Sequence, residues 1–169
     1  MPGDVLIRAA VAGDAAPMAR IYNHYIANTV VTFEEAAVSA ADMAARMAEA
    51  EAAKLPWLVA QTPPGVRGFA HASRWKGRCG YRHSAEVTVY LDAEAGGQGL
   101  GTRLYTELFA RLAAGGCHVL IGGIALPNPA SIALHEKFGM QKIAHFSEVG
   151  YKFGRWVDVG YWQLKLPDA

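Results

Sequence analysis

Between residues 85 and 112 a strand, a glycine loop and a helix follow one another without a break, and no other stretch restricts the fold as much. Ala85 to Leu91 alternates so that Glu86, Thr88 and Tyr90 share one face of a strand and Val87, Val89 and Leu91 the other. Gly96-Gly97-Gln98-Gly99-Leu100-Gly101 comes next. Leu100, Leu104, Leu108 and Leu112 then recur at helical spacing until Gly115-Gly116 stops them. Such a turn lets several bare N–H groups converge on one anion at the positive end of a helix dipole. It is not a P-loop, because no Gly-Lys-Ser/Thr follows at the required offset, and it sits too late in the chain for a dinucleotide fingerprint. Taken alone, the glycines equally suit a tight turn that binds nothing.

The flanking segments complete a mixed fold. Val5 to Ala9 reads as a strand, and Asp14 offers an N-cap to an apolar-periodic helix through Met18, Ile21, Tyr22, Tyr25 and Ile26. Ser39 opens an alanine-rich surface helix to Ala53 that carries few large apolar groups. Trp57 to Gln61 and Val66 to Ser73 form a hairpin about Pro63-Pro64-Gly65. Val119 to Ala125 is a nearly continuous apolar run, as in a buried parallel strand. A helix over Asn128 to Phe138 and a closing hairpin, Lys142 to Val149 with Trp156 to Leu166, end the chain. The order β-α-α-β-β-β-α-β-α-β-β predicts an α/β fold, with a mixed, largely antiparallel central sheet flanked by helices, in one domain over residues 1–169.

Charge and cysteine usage remove several classes. Sixteen basic against fifteen acidic side chains leave +1, so no general field is present to hold nucleic acid or an anionic membrane. Cys79 and Cys117 fall in no Cys/His cluster, and the histidines show no ligand spacing, so no metal is assigned. Two reduced thiols, an N-terminus without a signal-like pattern and the lack of an apolar run near 20 residues place the expectation in the cytoplasm.

The strand, loop and helix, followed by Asn128 and by Ala133-Leu134-His135-Glu136-Lys137-Phe138-Gly139-Met140, resemble the GNAT superfamily of N-acetyltransferases over nearly the whole chain. That resemblance implies that Gly97, Gln98, Gly99, Leu100, Gly101 and Thr102 cradle the pyrophosphate of acetyl-CoA. It also implies that Val89, Tyr90 and Leu91 hold the pantetheine arm through their main chain, with Asn128 and Ser131 nearby. Gly96 stands where the pattern prefers Gln or Arg, which predicts weaker cofactor affinity. Trp75-Lys76-Gly77-Arg78-Cys79-Gly80-Tyr81, Ala85 to Tyr90, Leu126-Pro127-Asn128-Pro129-Ala130-Ser131 and Gly154 to Leu164 together are similar to the phosphinothricin and methionine-sulfoximine N-acetyltransferases. Ile21 to Ile26 with Thr32-Phe33 fits that group's opening.

Acetyl transfer to an α-amine needs a neutral amine, a held thioester, a donor for the oxyanion and a proton for the thiolate. Glu86, a charge in an apolar-rich strand, is the candidate base, unless it simply faces solvent. The resemblance assigns the Val89 N–H to the oxyanion and His135 to the thiolate's proton, although a helix histidine also serves as packing. Arg74, Lys76, Arg78 and Tyr81 lie in the loop where the resembling enzymes hold an amino-acid substrate; a solvated basic loop is the plainer reading. Phe33 closes the pocket or plugs the core, and Tyr161, Trp162 and Trp156 go to core or dimer packing. Direct transfer without a covalent intermediate is expected, because Cys117 lies at a turn remote from the loop. The resemblance further implies a homodimer acting on a small amino-acid analogue. Its rivals are an enzyme for a polyamine or a protein N-terminus, which the Lys76/Arg78 pair disfavours, and a non-catalytic acyl-CoA-binding module.

Overall fold

The computed structural model describes residues 4–168. Its strands are β1 (Leu6–Ala9), β2 (Trp57–Thr62), β3 (Gly65–Arg74), β4 (Ser84–Leu91), β5 (Val119–Ala125), β6 (Gln141–Lys152) and β7 (Arg155–Lys165). Its helices are α1 (Ala15–Asn28), α2 (Ala40–Ala52), α3 (Leu100–Ala114) and α4 (Pro129–Lys137). All seven strands form one sheet in the order β1-β2-β3-β4-β5-β7-β6. Every pairing is antiparallel except β4 with β5, so the mixed sheet expected from the sequence is the one observed.

The period-two pattern of β4 decides which layer each residue joins. Ala85 and Val87, with Val89 and Leu91 against them, pack beneath Leu104, Tyr105 and Leu108 of α3. Each fully buried leucine there contributes about 2 kcal/mol. Tyr90 faces the other way, into a core built by Met18, Ile21 and Tyr22 of α1 with Met43 of α2. Helices α1 and α2 therefore cover one face, and α3 and α4 the other.

Two helix starts reflect different chemistry. α2 opens at Ser39 as expected, and the start is a reciprocal cap: the Ser39 hydroxyl accepts from the Asp42 N–H at 3.0 Å while the Asp42 carboxylate accepts from the Ser39 N–H at 2.8 Å. Asp14 does not cap α1 with its side chain. Its carboxylate accepts from both terminal nitrogens of Arg8, at 2.7 and 2.9 Å, and from the Val11 N–H, because a short 3₁₀ turn over Ala12–Asp14 carries it back toward β1.

The parallel pair is short. Ser84, Ala85 and Glu86 sit opposite Val119, Leu120 and Ile121, and β4 then leaves β5. β4 stays with β3 as far as Leu91 opposite Gly68, and β5 stays with β7 as far as Ala125 opposite Val159. The sheet thus parts just beyond Glu86, and the parting is lined by main chain.

Candidate active site

One end of the opening is the glycine loop. Gly97 and Gly99 take φ of 75° and 74°, a left-handed conformation that side chains resist, and nothing lies in front of either. Gly99 is the residue from which α3 starts. Leu100 is buried and anchors the turn, whereas a Cβ on Gly101 would press within 3.2 Å of Leu134. An open cradle of N–H groups results at the positive end of a 15-residue helix, and it suits a phosphate-bearing ligand. A cation not singled out from the sequence joins it: Lys137 Nζ donates to the Thr102 hydroxyl at 3.3 Å.

β4 runs from this loop toward Glu86. The Tyr90 ring is packed among Tyr22, Tyr25 and Phe69. Leu91 O accepts from the Tyr25 hydroxyl at 2.5 Å. Val89 lies beyond the last β5 partner, bordering the parting. Across it, Asn128 caps α4 by accepting from the Ser131 N–H at 3.1 Å.

Gly122 and Gly123 of β5 serve opposite faces. A Cβ on buried Gly122 would come within 2.6 Å of the His135 ring on the α4 side. A Cβ on Gly123 would lie 3.5 Å from Glu86 Oε1 and 3.1 Å from Tyr161 Cε1 on the α1/α2 side. Glu86 and His135 therefore occupy opposite faces of the sheet. Burial raises the Glu86 carboxyl above the ordinary carboxylate range, which brings it toward the neutral range that suits a proton acceptor.

His135 sits in a different environment. It is buried, its Nδ1 lies 2.7 Å from Ser131 O and its Nε2 lies 3.1 Å from the Tyr105 hydroxyl. The carbonyl requires N–H at Nδ1, which makes Nε2 the acceptor from Tyr105. Burial lowers its pKa and so favours the neutral form. In that state the ring holds no proton at Nε2 to donate.

The expected substrate set is not gathered at Glu86. Arg74, Lys76 and Arg78 line a cleft of about 440 Å³ that also takes in Lys54, Arg82 and Arg111, and Glu86 is not among its walls. The reason is the register: Arg74 pairs with Ala85 and so shares the α3 face, while Ser73 pairs with Glu86. Lys76, besides lining this cleft, lies 5.2 Å from the ring centre of Trp75, which abuts Tyr161. Tyr81 is exposed on a 3₁₀ turn, Cys79–Tyr81. Phe33 lies on the backbone of Gly150, partly exposed. Its loop is held to β6 by buried Lys152, whose ammonium donates to Thr29 O at 2.7 Å and Thr32 O at 2.8 Å.

Tyr161 corrects the sequence reading. It does not join Trp162 in the core, because alternation in β7 sends consecutive residues to opposite faces. Trp162 is buried and donates to Glu136 at 3.2 Å, while Tyr161 turns to Glu86, flanked by Trp75 and Phe146 with ring centres 5.6 and 5.7 Å away. The available signal was the Gly122-Gly123 pair in an otherwise apolar strand, since glycine inside a strand marks a close approach. No group of three metal-ligating side chains exists among the described residues, and no helix there is long and apolar enough to cross a membrane.

Comparison with known proteins agrees with this geometry. The sequence pattern of the Acetyltransferase (GNAT) domain matches residues 7–160. A phosphinothricin N-acetyltransferase of Streptomyces coelicolor is 34% identical, covering 98% of this chain and 100% of its own. An L-methionine sulfoximine/L-methionine sulfone acetyltransferase of Salmonella typhimurium is 36% identical over 96% of this chain and 98% of its own. A Salmonella typhimurium acetyltransferase solved with acetyl-CoA superposes with a TM-score of 0.94 at 33% identity, covering 98% of this chain and 95% of that one.

Proposed function

This chain belongs to the GNAT acetyltransferase family, and on that premise we propose that it moves the acetyl group of acetyl-CoA to the α-amine of a small amino-acid analogue: phosphinothricin, methionine sulfoximine or methionine sulfone. The names of its full-length relatives support the acceptor class. The observation that carries the chemistry is the position of Glu86, a carboxyl of raised pKa where β4 and β5 part, on the strand that continues into the glycine cradle.

Each residue has a task. The main-chain N–H groups of Gly97 to Thr102 receive the pyrophosphate of acetyl-CoA, Lys137 adds a positive charge beside Thr102, and Gly96 contributes no side chain. The main chain of Val89, Tyr90 and Leu91 lines the pantetheine path, with the free amide of Asn128 and the hydroxyl of Ser131 on its far side. Acetyl-CoA supplies an activated thioester carbonyl. Glu86 takes the proton of the entering ammonium, directly or through water; the neutral amine attacks the thioester carbonyl, and as the C–S bond breaks the new amide nitrogen gives its second proton to water. The Val89 N–H meets the oxyanion.

His135 we assign to positioning. Tied to Ser131 and Tyr105, it fixes α4 against Gly122, and the departing thiolate takes its proton from solvent in the parting. Lys76 is the cation we assign to the acceptor carboxylate, since it rests on Trp75, whose ring abuts Tyr161. Arg74, at the end of β3, and Arg78 line the cleft that Lys76 shares, and we assign them, with Tyr81 and Phe33, a secondary part in acceptor binding. We also assign a homodimer and a cytoplasmic setting. Exposed Phe146, Val149, Tyr151, Phe153 and Trp156 leave apolar surface on the β6–β7 hairpin, and both thiols are free.

The test is thiol release from acetyl-CoA over phosphinothricin, methionine sulfoximine, methionine sulfone, the common amino acids, a peptide N-terminus and spermidine. Turnover with one of the first three is expected. Turnover confined to spermidine or the peptide, or tight acetyl-CoA binding without turnover, overturns the reading.

A further inference from the structure

Three substituents meet at the α-carbon of an amino acid, and the proposed reaction places two of them, the amine at Glu86 and the carboxylate toward Lys76. The parting takes up the β5 side of β4, so the third, the side chain, has the β3 side to enter. Register decides what it meets there. Ser73 pairs with Glu86, and one row on Thr88 pairs with His71, which in turn pairs with Trp57. Alternation puts Thr88 and His71 on the face that carries Glu86, and His71 is its diagonal neighbour at about 7–8 Å.

Over this row lies a hollow of about 170 Å³, with Tyr22, Arg46, Trp57, His71 and Thr88 among its walls. A groove of about 550 Å³ shares Arg46, Trp57 and His71 with it and continues along Ser73, which stands opposite Glu86. Space of this size takes a group of several heavy atoms, more than one water. His71 is the polar group in these walls that the protein itself does not use. Its Nδ1 is covered and has no hydrogen-bond partner among the described residues, which leaves Nε2 as the nitrogen open to the hollow. Burial, with the Arg46 charge added to it, brings the ring down to about 4, so it is neutral and has one N–H to give. A covered lone pair is less costly to leave unpaired than a covered N–H, which assigns the proton to Nε2.

The walls are polar without a net charge. Arg46 donates to both oxygens of Glu34, at 2.9 and 2.6 Å, and Glu49 and Arg74 add one charge of each sign to the groove. The imidazole is stacked on Trp57, ring centres 4.2 Å apart and planes at 17°, so its N–H is held in place.

We propose that the His71–Thr88 row receives the polar head of the acceptor's side chain, and that this head is an uncharged hydrogen-bond acceptor, such as a sulfone or sulfoximine oxygen, in preference to an anionic phosphinate. This rests on the reading of the chain as an amino-acid N-acetyltransferase with Glu86 as base. The His71 Nε2–H and the Thr88 hydroxyl donate to the head's oxygens. A phosphinate would bring a full charge to walls whose guanidinium is already bound by Glu34.

The test compares kcat/KM for methionine sulfone, phosphinothricin and norleucine at saturating acetyl-CoA, norleucine having an apolar chain without the oxygens. The unmodified enzyme should favour the sulfone over norleucine by about tenfold, the scale of one or two hydrogen bonds, and should also favour it over phosphinothricin. His71→Phe keeps a ring to stack on Trp57 and removes the N–H. It should lose about tenfold with the sulfone and stay within twofold with norleucine, at unchanged melting temperature and acetyl-CoA affinity. His71→Gln returns an N–H and should recover part of the loss. Equal losses with both acceptors in His71→Phe, an undiminished rate with the sulfone, or a preference of the unmodified enzyme for phosphinothricin overturns the proposal. If Glu86→Gln abolishes turnover while His71→Phe keeps the sulfone preference, the head site alone fails. If Glu86→Gln is fully active, the underlying reading falls and the head site with it.

Discussion

The two ends of the parting between β4 and β5 are built from different materials. The cofactor end is backbone: Gly97, Gly99 and the first turn of α3 lie within a few residues and present N–H groups that no substitution supplies. The acceptor end is side chain: Glu86 comes from β4, Trp75 from the loop after β3, Tyr161 from β7 and Phe146 from β6. A local backbone site is set by glycine positions alone. A side-chain site depends on strand register, because a slip of one residue would send Glu86 or Tyr161 to the wrong face.

The sharpest way to break this contrast is at Glu86. Glu86→Gln should cost about two to four orders of magnitude in turnover while leaving acetyl-CoA binding unchanged. The sign of the pH dependence follows from the raised pKa. The carboxylate must be ionised to take a proton, so activity should climb with pH through a midpoint above the usual carboxylate range, and that limb should vanish in Glu86→Gln. His135→Gln should instead leave the limb in place and lower the melting temperature, since both its nitrogens are engaged. A loss below threefold in Glu86→Gln, measured with saturating acetyl-CoA, would remove the carboxylate from the mechanism.

At the other end, Gly99→Val tests the backbone half. A β-branched residue at φ of 74° is strained, at a cost of about 1–2 kcal/mol, and its side chain enters the open cradle. Calorimetry should find acetyl-CoA affinity about tenfold weaker, with the acceptor's KM unmoved. An unchanged affinity would mean that the loop is only a turn.

How much of this was legible follows the same division. The sequence predicts the glycine turn, the element order, the helix start at Ser39 and the face that carries Glu86, because each depends on residues near one another in the chain. The misread residues depend on distant ones. Asp14 looks like a cap until Arg8 takes its carboxylate. Tyr161 looks like core until its alternation with Trp162 is tied to the pairing with Gly123. For His135 the sequence leaves a proton donor and a packing residue side by side, and the contact with Tyr105, 30 residues earlier, is what favours the second. The cations Arg74, Lys76 and Arg78 look like part of an acceptor site at Glu86, and only the pairing of Arg74 with Ala85 reveals that they gather in a cleft that Glu86 does not line.

That cleft gives the smallest effect and the finest test. Lys76 and Arg78 both open on the cleft shared with Lys54 and Arg111, but Lys76 also rests on Trp75, whose ring meets Tyr161. If the acceptor carboxylate reaches the Glu86 side, Lys76→Ala should raise its KM about fivefold, the size expected for one charge-assisted hydrogen bond partly screened by solvent. Arg78→Ala should stay within twofold, and neither change should alter acetyl-CoA binding. Steady-state kinetics with methionine sulfone at saturating acetyl-CoA separates the two. The opposite ranking would place the carboxylate in the basic cleft, so that the acceptor would approach Glu86 around the end of β4 and the side-chain half of the site would extend across both faces of the sheet.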